Sequence, residues 1–542
     1  MQPRNDSHSL VKNGKTLLSG IDPAGRAEKI VDALSLKNRT LYLCPSPLYG
    51  FGLSRLLFRF ETEAPGSAAL CVEADSELYE LSAANIESSV AKNKKFHLTD
   101  VCDAEKLPAV IRGKWGVMAF RRIEMIRLNG GWQLFSQAYD LIRDQLCADI
   151  ALQWSNALTL NKLGRLYMRN LLRNLPLLSR FQSADVLSFG SYPLLVLGAG
   201  PSLDDVLKKL TEDNLQRTER KFKIICVDTC LGALKDRGII PDLTVILESQ
   251  HWNLRDFIGC RDWNVNAAVD LSSLPASAQI LSGGVFLFMT PWTNLRIFER
   301  LEKAELLPAA VAPLGSVGLT AVELARRLTS GKIICAGLDF SFSQDKYHAR
   351  STPGHRGKLN AQNRFRTILN TAAYDSYSSS AVSKSGENVR TSPSMKNYRG
   401  LFESEFGGDP RVFDIEGIGL PLGVKTLSME EAFNVLKNEE LGIRNEELEM
   451  RNEELGIKNG EKKIQLTSFF KSEVNRLVEL RDILTGGGNA GKESLSVLLD
   501  ECDYLWAHFP DYSGGRSADI SDISFLKRVR AEIDPVLKLL TV

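Results

Sequence analysis

Three kinds of residue in this chain have the type and spacing to hold a phosphate and move a proton. The first is a glycine turn in LVLGAGPSLDDVLKKL, residues 195–210, where Leu194–Leu197 read as a buried strand and Gly198 and Gly200 permit a tight turn. Ser202 stands three residues before Asp205, the spacing of a capping box that opens a helix. Unpaired amides and the positive end of a helix dipole would then converge where a phosphate can sit. Pro201, and Leu203 in place of a third glycine, depart from the dinucleotide fingerprint, so the turn reads as nucleotide-type rather than NAD-type. GSVGLTAVELARRL, residues 315–328, offers a second such end, with Gly315 and Ser316 at a helix start. The second kind is an acid directly after an apolar run: Asp228 after ICV, Glu248 after LTVIL and Asp339 after IICAGL. Carboxylates so placed can act as general bases or metal ligands. The third is histidine: His348 and His355 follow Asp339, and His348 is expected to titrate near neutral pH. Singly, an N-cap serine, a strand-ending acid or a surface histidine is commonplace. Their order along one sheet edge carries the reading.

That edge has to be built by strands. Leu194–Leu197, Lys223–Val227, Leu243–Leu247, Ala267–Asp270, Val285–Met289 and Lys332–Ala336 are short apolar runs separated by helical segments. Such alternation predicts an α/β fold with a central, Rossmann-like, mostly parallel sheet covered on both faces, binding ligands beyond the strands' carboxyl ends. Upstream, TLYLCPSPLYGFGLSRLL gives a strand, a loop with Gly50 and Gly52 and a helix start, and AALCVEADSELYEL gives a strand ending at Glu73. This is a worn nucleotide-fold layout. Its glycines are few, and Pro45 and Pro47 crowd the loop, so a structural relic is the better reading. The expected division is an N-terminal α/β domain over 1–155, a helical connector over 156–180, a central domain over 181–430 and a helical C-terminal domain over 431–542. Within the central domain, Ser341–Met395 lacks apolar periodicity and reads as a long loop or lid with some helix near Asn363–Ala373. In the last domain, residues 438–458 form a nearly perfect seven-residue repeat, NEELGIRNEELEMRNEELGIK. Its i,i+4 acid–base pairs favour helix, but its apolar residues sit at i and i+2 and share no face, which predicts a solvated, dispensable spacer. Amphipathic helices are expected over Phe469–Leu484, Ser494–Trp506 and Ile523–Leu540.

Composition removes several classes. With 67 basic and 66 acidic residues the net charge is +1, which argues against a dedicated nucleic-acid binder. No apolar run suggests export or a membrane span, and nine scattered cysteines show neither metal-ligand spacing nor a disulfide framework, so a reduced cytoplasmic setting and no metal site are expected. GGGNAGK at residues 486–492 mimics a P-loop but is followed by Glu493 where a Mg²⁺-binding Ser or Thr is needed, and a helical pattern precedes it. It reads as a linker between helices.

GAGPSLDD, VDTCLGALKDRGIIPDLTVILE, GSVGLTAVELA, IICAGLDFSFSQDKYHA and VFDIEGIGLPLG follow one another in the order seen in the motility accessory factor (Maf) family. The central stretch also resembles archaeal 6-hydroxymethylpterin diphosphokinase and, more distantly, bacterial sialyltransferases. The seven-residue repeat is not part of that pattern. The resemblance implies a glycosyltransferase moving a nonulosonic acid from a CMP-activated donor to Ser or Thr of flagellin. It implies that Gly198, Gly200, Pro201, Ser202, Asp228, Gly315 and Ser316 bind the nucleotide, and that the base is Glu248, Asp339 or His348. One alternative is ATP-dependent pyrophosphoryl transfer, in which the same carboxylates hold Mg²⁺. Another is a non-catalytic flagellin-binding factor working through its helical C-terminus.

Overall fold

A computed structural model describes residues 10–100, 106–116, 119–213, 220–343, 346–373, 378–438, 452–486, 492–510, 512 and 518–541. The chain divides into two compact units, Met1–Lys162 with His508–Ser517, and Leu163–Ala507 with Ala518–Val542.

The first unit holds a small parallel sheet. Strand β1 (Thr40–Pro45) leads through a loop to helix α1 (Leu53–Thr62), followed by β2 (Ala68–Val72), β3 (Phe96–Thr99) and β4 (Arg122–Met125), in the order β3-β2-β1-β4. Every residue of β1 and β2 is buried, as expected of a sheet covered on both faces. Glu73, at the end of β2, turns back onto the glycine loop: it accepts from Ser82 Oγ at 2.8 Å, Ser46 Oγ at 3.3 Å and the Leu48 amide at 3.4 Å. The acid that would face a ribose in a nucleotide fold ties its own loop together instead.

Helix α2 (Ser136–Asn174) begins well before the expected connector and ends in a 3₁₀ turn, Leu175–Ser179, where Pro176 cannot continue the ladder. Its early turns carry Tyr139, Ile142, Leu146 and Ile150 at helical spacing, all buried in the core of the first unit.

The second unit is built on a large parallel sheet: β5 (Leu194–Leu197), β6 (Lys223–Val227), β7 (Leu243–Ile246), β8 (Ala267–Asp270), β9 (Val285–Met289), β10 (Ala309–Ala310), β11 (Ile333–Ala336), β12 (Val412–Ile415) and β13 (Lys425–Leu427). Six of these fall where the sequence places them, within one residue at each end. Their order is β10-β9-β8-β7-β6-β5-β11-β12-β13, with Gln182–Ser183 also paired to β9. From β5 the chain runs through helix α3 (Leu203–Asp213) and steps outward to β10; helix α4 (Val317–Leu328) then returns it to lay β11 on the other side of β5. The topological switch point therefore lies between β5 and β11, the place where open α/β sheets bind ligands. Leu197 pairs with Ala336, so the loops after both strands start level, at Gly198 and Gly337.

The expected loop over Ser341–Met395 contains more structure than its periodicity suggests. Helix α5 (Pro353–Ala361) starts at Thr352, whose side chain accepts from the His355 amide, and a helix over Pro393–Phe406 starts at Ser392, which accepts from the Met395 amide. Both starts are a capping hydroxyl followed by proline at the first helical position. Between them lie a short helix, Ile368–Ala373, and a hairpin of Ser379–Val382 with Asn388–Thr391. At the C-terminus are α6 (Asn452–Leu484), α7 (Lys492–Glu501) and α8 (Ile523–Leu540). Residues 439–451 of the repeat and 487–491 of the glycine run lie outside the described residues. The element before that run is α6, a helix and not the strand a P-loop requires. Among the described residues no helix is long and apolar enough to cross a membrane, no group of His, Cys, Asp and Glu could hold a metal ion, and every cysteine is free.

Candidate active site

The glycine turn after β5 is held by protein rather than left open. The Gly198 amide donates to the Ala336 carbonyl and the Gly200 amide to the Gly337 carbonyl, each at 2.8 Å. The Ser202 amide donates to Asp339 Oδ2 at 2.7 Å, and its hydroxyl donates to Asp339 Oδ1 at 2.6 Å. Asp339 is 2% exposed and supplies the negative charge that the start of α3 favours. This corrects two expectations. Ser202 does not form a capping box with Asp205, and the amides of Gly200 and Ser202 are engaged by Gly337 and Asp339 where a phosphate was expected. The glycines serve close approach: a Cβ on Gly198 would lie 2.5 Å from the Gly337 carbonyl oxygen, leaving no room for a side chain. Burial raises Asp339, against the pull of Lys384 and the Ser202 hydrogen bonds. Lys384 is buried in an ion pair with Asp414 at 2.7 Å.

The start of α4 is different. Ser316 is its extended N-cap residue and makes no side-chain capping bond, and Gly315 is left-handed with φ +71°. Among the described residues the amides of Val317, Gly318 and Leu319 have no hydrogen-bond partner. A Cβ on Gly318 would meet Leu338, which sits between Gly337 and Asp339, so this first turn packs beside the switch point. Tyr398 stands beside the exposed Gly315, with ring carbon Cε1 only 3.1 Å from where a Cβ would stand. Of the two helix starts singled out by sequence, α4 keeps free donors for an anion.

Acids line the strand ends to one side. Asp228, after β6, is buried; its Oδ1 accepts from the Thr229 amide at 2.8 Å and its Oδ2 from Asn253 Nδ2 at 3.0 Å. Burial and the nearby Asp256 carboxylate push Asp228 up to about 7. Asp270, the last residue of β8, is sealed by Ser272 and the Thr290 amide, and burial lifts it to about 6. Glu248, after β7, is exposed, and its Oε1 accepts from the amide of Gln250 in its own loop. Its charge is felt by Asp256 and by the half-buried Tyr167, which burial raises to about 12. His348 contradicts the expected titration: burial first, then Lys358, Arg255 and His355, lower it to about 4. Its imidazole is neutral at pH 7, and its buried Nδ1 has no hydrogen-bond partner. His355 is buried within α5 and is not a surface residue.

The raised Asp228 has a consequence for stability. A carboxyl lifted from its ordinary 3.8 to about 7 keeps its proton longer in the folded chain than in the unfolded one. Folding is then weakened as pH rises through that window, an effect on the order of 4 kcal/mol. Asp228→Asn should remove this slope and gain stability relative to wild type at pH 8 but not at pH 4. Asn253, whose Oδ1 is unpartnered, can rotate its amide to accept from the new side chain. Thermal melts of both proteins at the two pH values check this; parallel pH dependence would exclude it.

Sequence reading missed Asn170 and Asn174. One turn apart on α2, they donate to carbonyls of the loops after β7 and β8: Asn170 to Ser249 and Ser272, Asn174 to Leu271 and Ser273. Their i,i+4 spacing, which puts two side-chain amides on one helix face, was the available signal. Asn253, Asp256, Tyr167 and Tyr398 carry no local signature.

Residues 169–345 match the family described as 6-hydroxymethylpterin diphosphokinase MptE-like. An uncharacterized protein of Treponema pallidum (strain Nichols) is 27% identical over 537 residues, covering 95% of this chain and 90% of that protein. The structure of MAf glycosyltransferase from Magnetospirillum magneticum AMB-1 superposes with a TM-score of 0.58 at 13% identity, over 100% of this chain and 90% of that one. This likeness of fold spans the whole chain. The chain thus carries an MptE-like central domain within a fold shared with the Maf glycosyltransferase.

Proposed function

We propose that this protein is a glycosyltransferase that moves a nonulosonic acid from its CMP-activated donor to Ser or Thr of flagellin. The observation that carries the reading is the open start of α4 at the switch point of a sheet whose whole-chain fold is shared with a glycosyltransferase. In this reading the cytidine monophosphate leaving group sits against the amides of Val317, Gly318 and Leu319, with Gly315 and Ser316 giving the backbone close access. Glu248 takes the proton of the acceptor hydroxyl, because its carboxylate is exposed at the sheet edge. Asp339 is a positioning residue: both its oxygens hold Ser202, and through it the glycine turn. Asp228 shapes the donor side through Asn253 and Thr229.

Val317→Pro tests the donor site. Ser316 is extended (φ −139°, ψ 133°), as a residue before proline should be, and proline is accepted at the first helical position. The change deletes one amide donor and leaves α4 intact. CMP affinity by calorimetry should fall by about tenfold or more, the loss expected for one hydrogen bond to a charged group. Equal affinity in the two proteins would remove this helix start from the donor site.

The MptE-like match favours one other reading, ATP-dependent pyrophosphoryl transfer to a pterin. Screening wild type for CMP-sugar hydrolysis against ATP-dependent pterin diphosphorylation separates the two.

A further inference from the structure

Residues 346–373 contain Lys346, Arg350, Arg356, Lys358, Arg364 and Arg366 and no acid, in a chain whose net charge is +1. Lys346 pairs with Asp204 at 3.1 Å and Arg356 pairs with Asp236. Arg350, Arg364 and Arg366 are exposed and make no ion pair among the described residues. Between two of these arginines Phe365 stands 78% exposed, with Leu359 and Leu369 also uncovered nearby in sequence. Tyr347, Lys358, Ala361, Gln362, Arg366 and Ile368 line an open cavity of about 280 Å³ in this segment. Lys358 lies over the Tyr347 ring, so one wall joins a cation to an aromatic face. The root of the segment is fixed at the site, since the Ala349 amide donates to the Ala199 carbonyl at 3.0 Å. Helix α5 packs on the turn that carries Asn253 and Asp256.

We infer that this segment docks an acidic stretch of polypeptide, with a carboxylate side chain seated in the cavity against Arg366 and an apolar neighbour on Phe365. The inference rests on the reading above in which the acceptor is a protein. Arg364 and Arg366, exposed and without an ion pair among the described residues, flank an exposed aromatic and complement alternating acidic and apolar side chains, and such charge matching speeds encounter and sets register. A concave pocket with an amide wall suits a side chain better than a flat membrane surface. The chain's overall neutrality disfavours a nucleic acid.

The test uses the full chain and no sugar donor. Fluorescence anisotropy would compare a labelled peptide of Asp, Glu, Ser, Thr and Leu with its twin carrying Asn and Gln for the acids, against wild type and Arg364→Glu/Arg366→Glu. The acidic peptide should bind about tenfold more tightly than its twin, and the double variant should lose about that factor. Added salt should weaken the binding. Equal binding of the two peptides, or undiminished binding by a variant with an unchanged melting temperature, would overturn the inference. So would tighter binding of a single-stranded RNA oligomer or of phosphatidylserine vesicles. CMP titration of the same variant should match wild type, so failure of the docking site and failure of the donor site are read separately.

Discussion

Replacing Glu248 by glutamine should slow glycosyl transfer by about 10²–10⁴-fold, the contribution expected of a general base. The change keeps shape and volume and removes charge and basicity. Glu248 is exposed, and its side-chain bond is to its own loop's Gln250 amide, so the fold does not depend on its charge. Circular dichroism and CMP affinity should therefore match wild type while single-turnover transfer falls. Asp339→Asn separates this role from positioning. Its two oxygens both accept from Ser202, and an amide can accept from only one of those donors. That variant should lose stability as well as activity. A near-normal rate in Glu248→Gln would move the base to His348, whose lowered pKa keeps it unprotonated at neutral pH. In that case His348→Gln should slow single-turnover transfer by a similar factor with an unchanged melting temperature.

Gly200→Val should destabilise the second unit by about 3–5 kcal/mol, the range seen when a buried charge loses its partners. A Cβ at this position would stand 2.5 Å from Asp339 Oδ2 and 2.7 Å from the Gly337 carbonyl oxygen. The valine must push Asp339 away from Ser202, leaving a carboxylate buried without its donors and the α3 start without its anion. Urea denaturation should show the loss as a lower midpoint with an unchanged slope. Because the turn's amides serve the protein, any loss of CMP affinity in this variant follows from the broken fold. An unaltered midpoint would mean that the two glycine loops are not packed as described.

Local chemistry wrote much of this architecture in the sequence. Ile224–Val227 and Leu194–Leu197 are apolar on every residue, which only a strand buried on both faces accommodates at that length. The α4 start was legible because a glycine, a serine and a helical period follow one another within a few residues. The Thr352–Pro353 and Ser392–Pro393 starts were equally local, but the sparse apolar residues after them hid two helices. Other features had no local trace. Asp339 reaches Ser202 across 137 residues, and only the register of β5 beside β11 brings them level. The glycine turn therefore looked open in sequence and is closed in space. Asp228 and His348 have ordinary side chains whose behaviour is set by burial, lifting one to about 7 and lowering the other to about 4. Desolvation depends on everything packed around a group, so no window of neighbouring residues contains it. Sequence determined which segments could form the sheet and which residues reach its edge. Tertiary packing decided which of those residues are spent on holding the edge together and which, Glu248 and the start of α4, are left facing out.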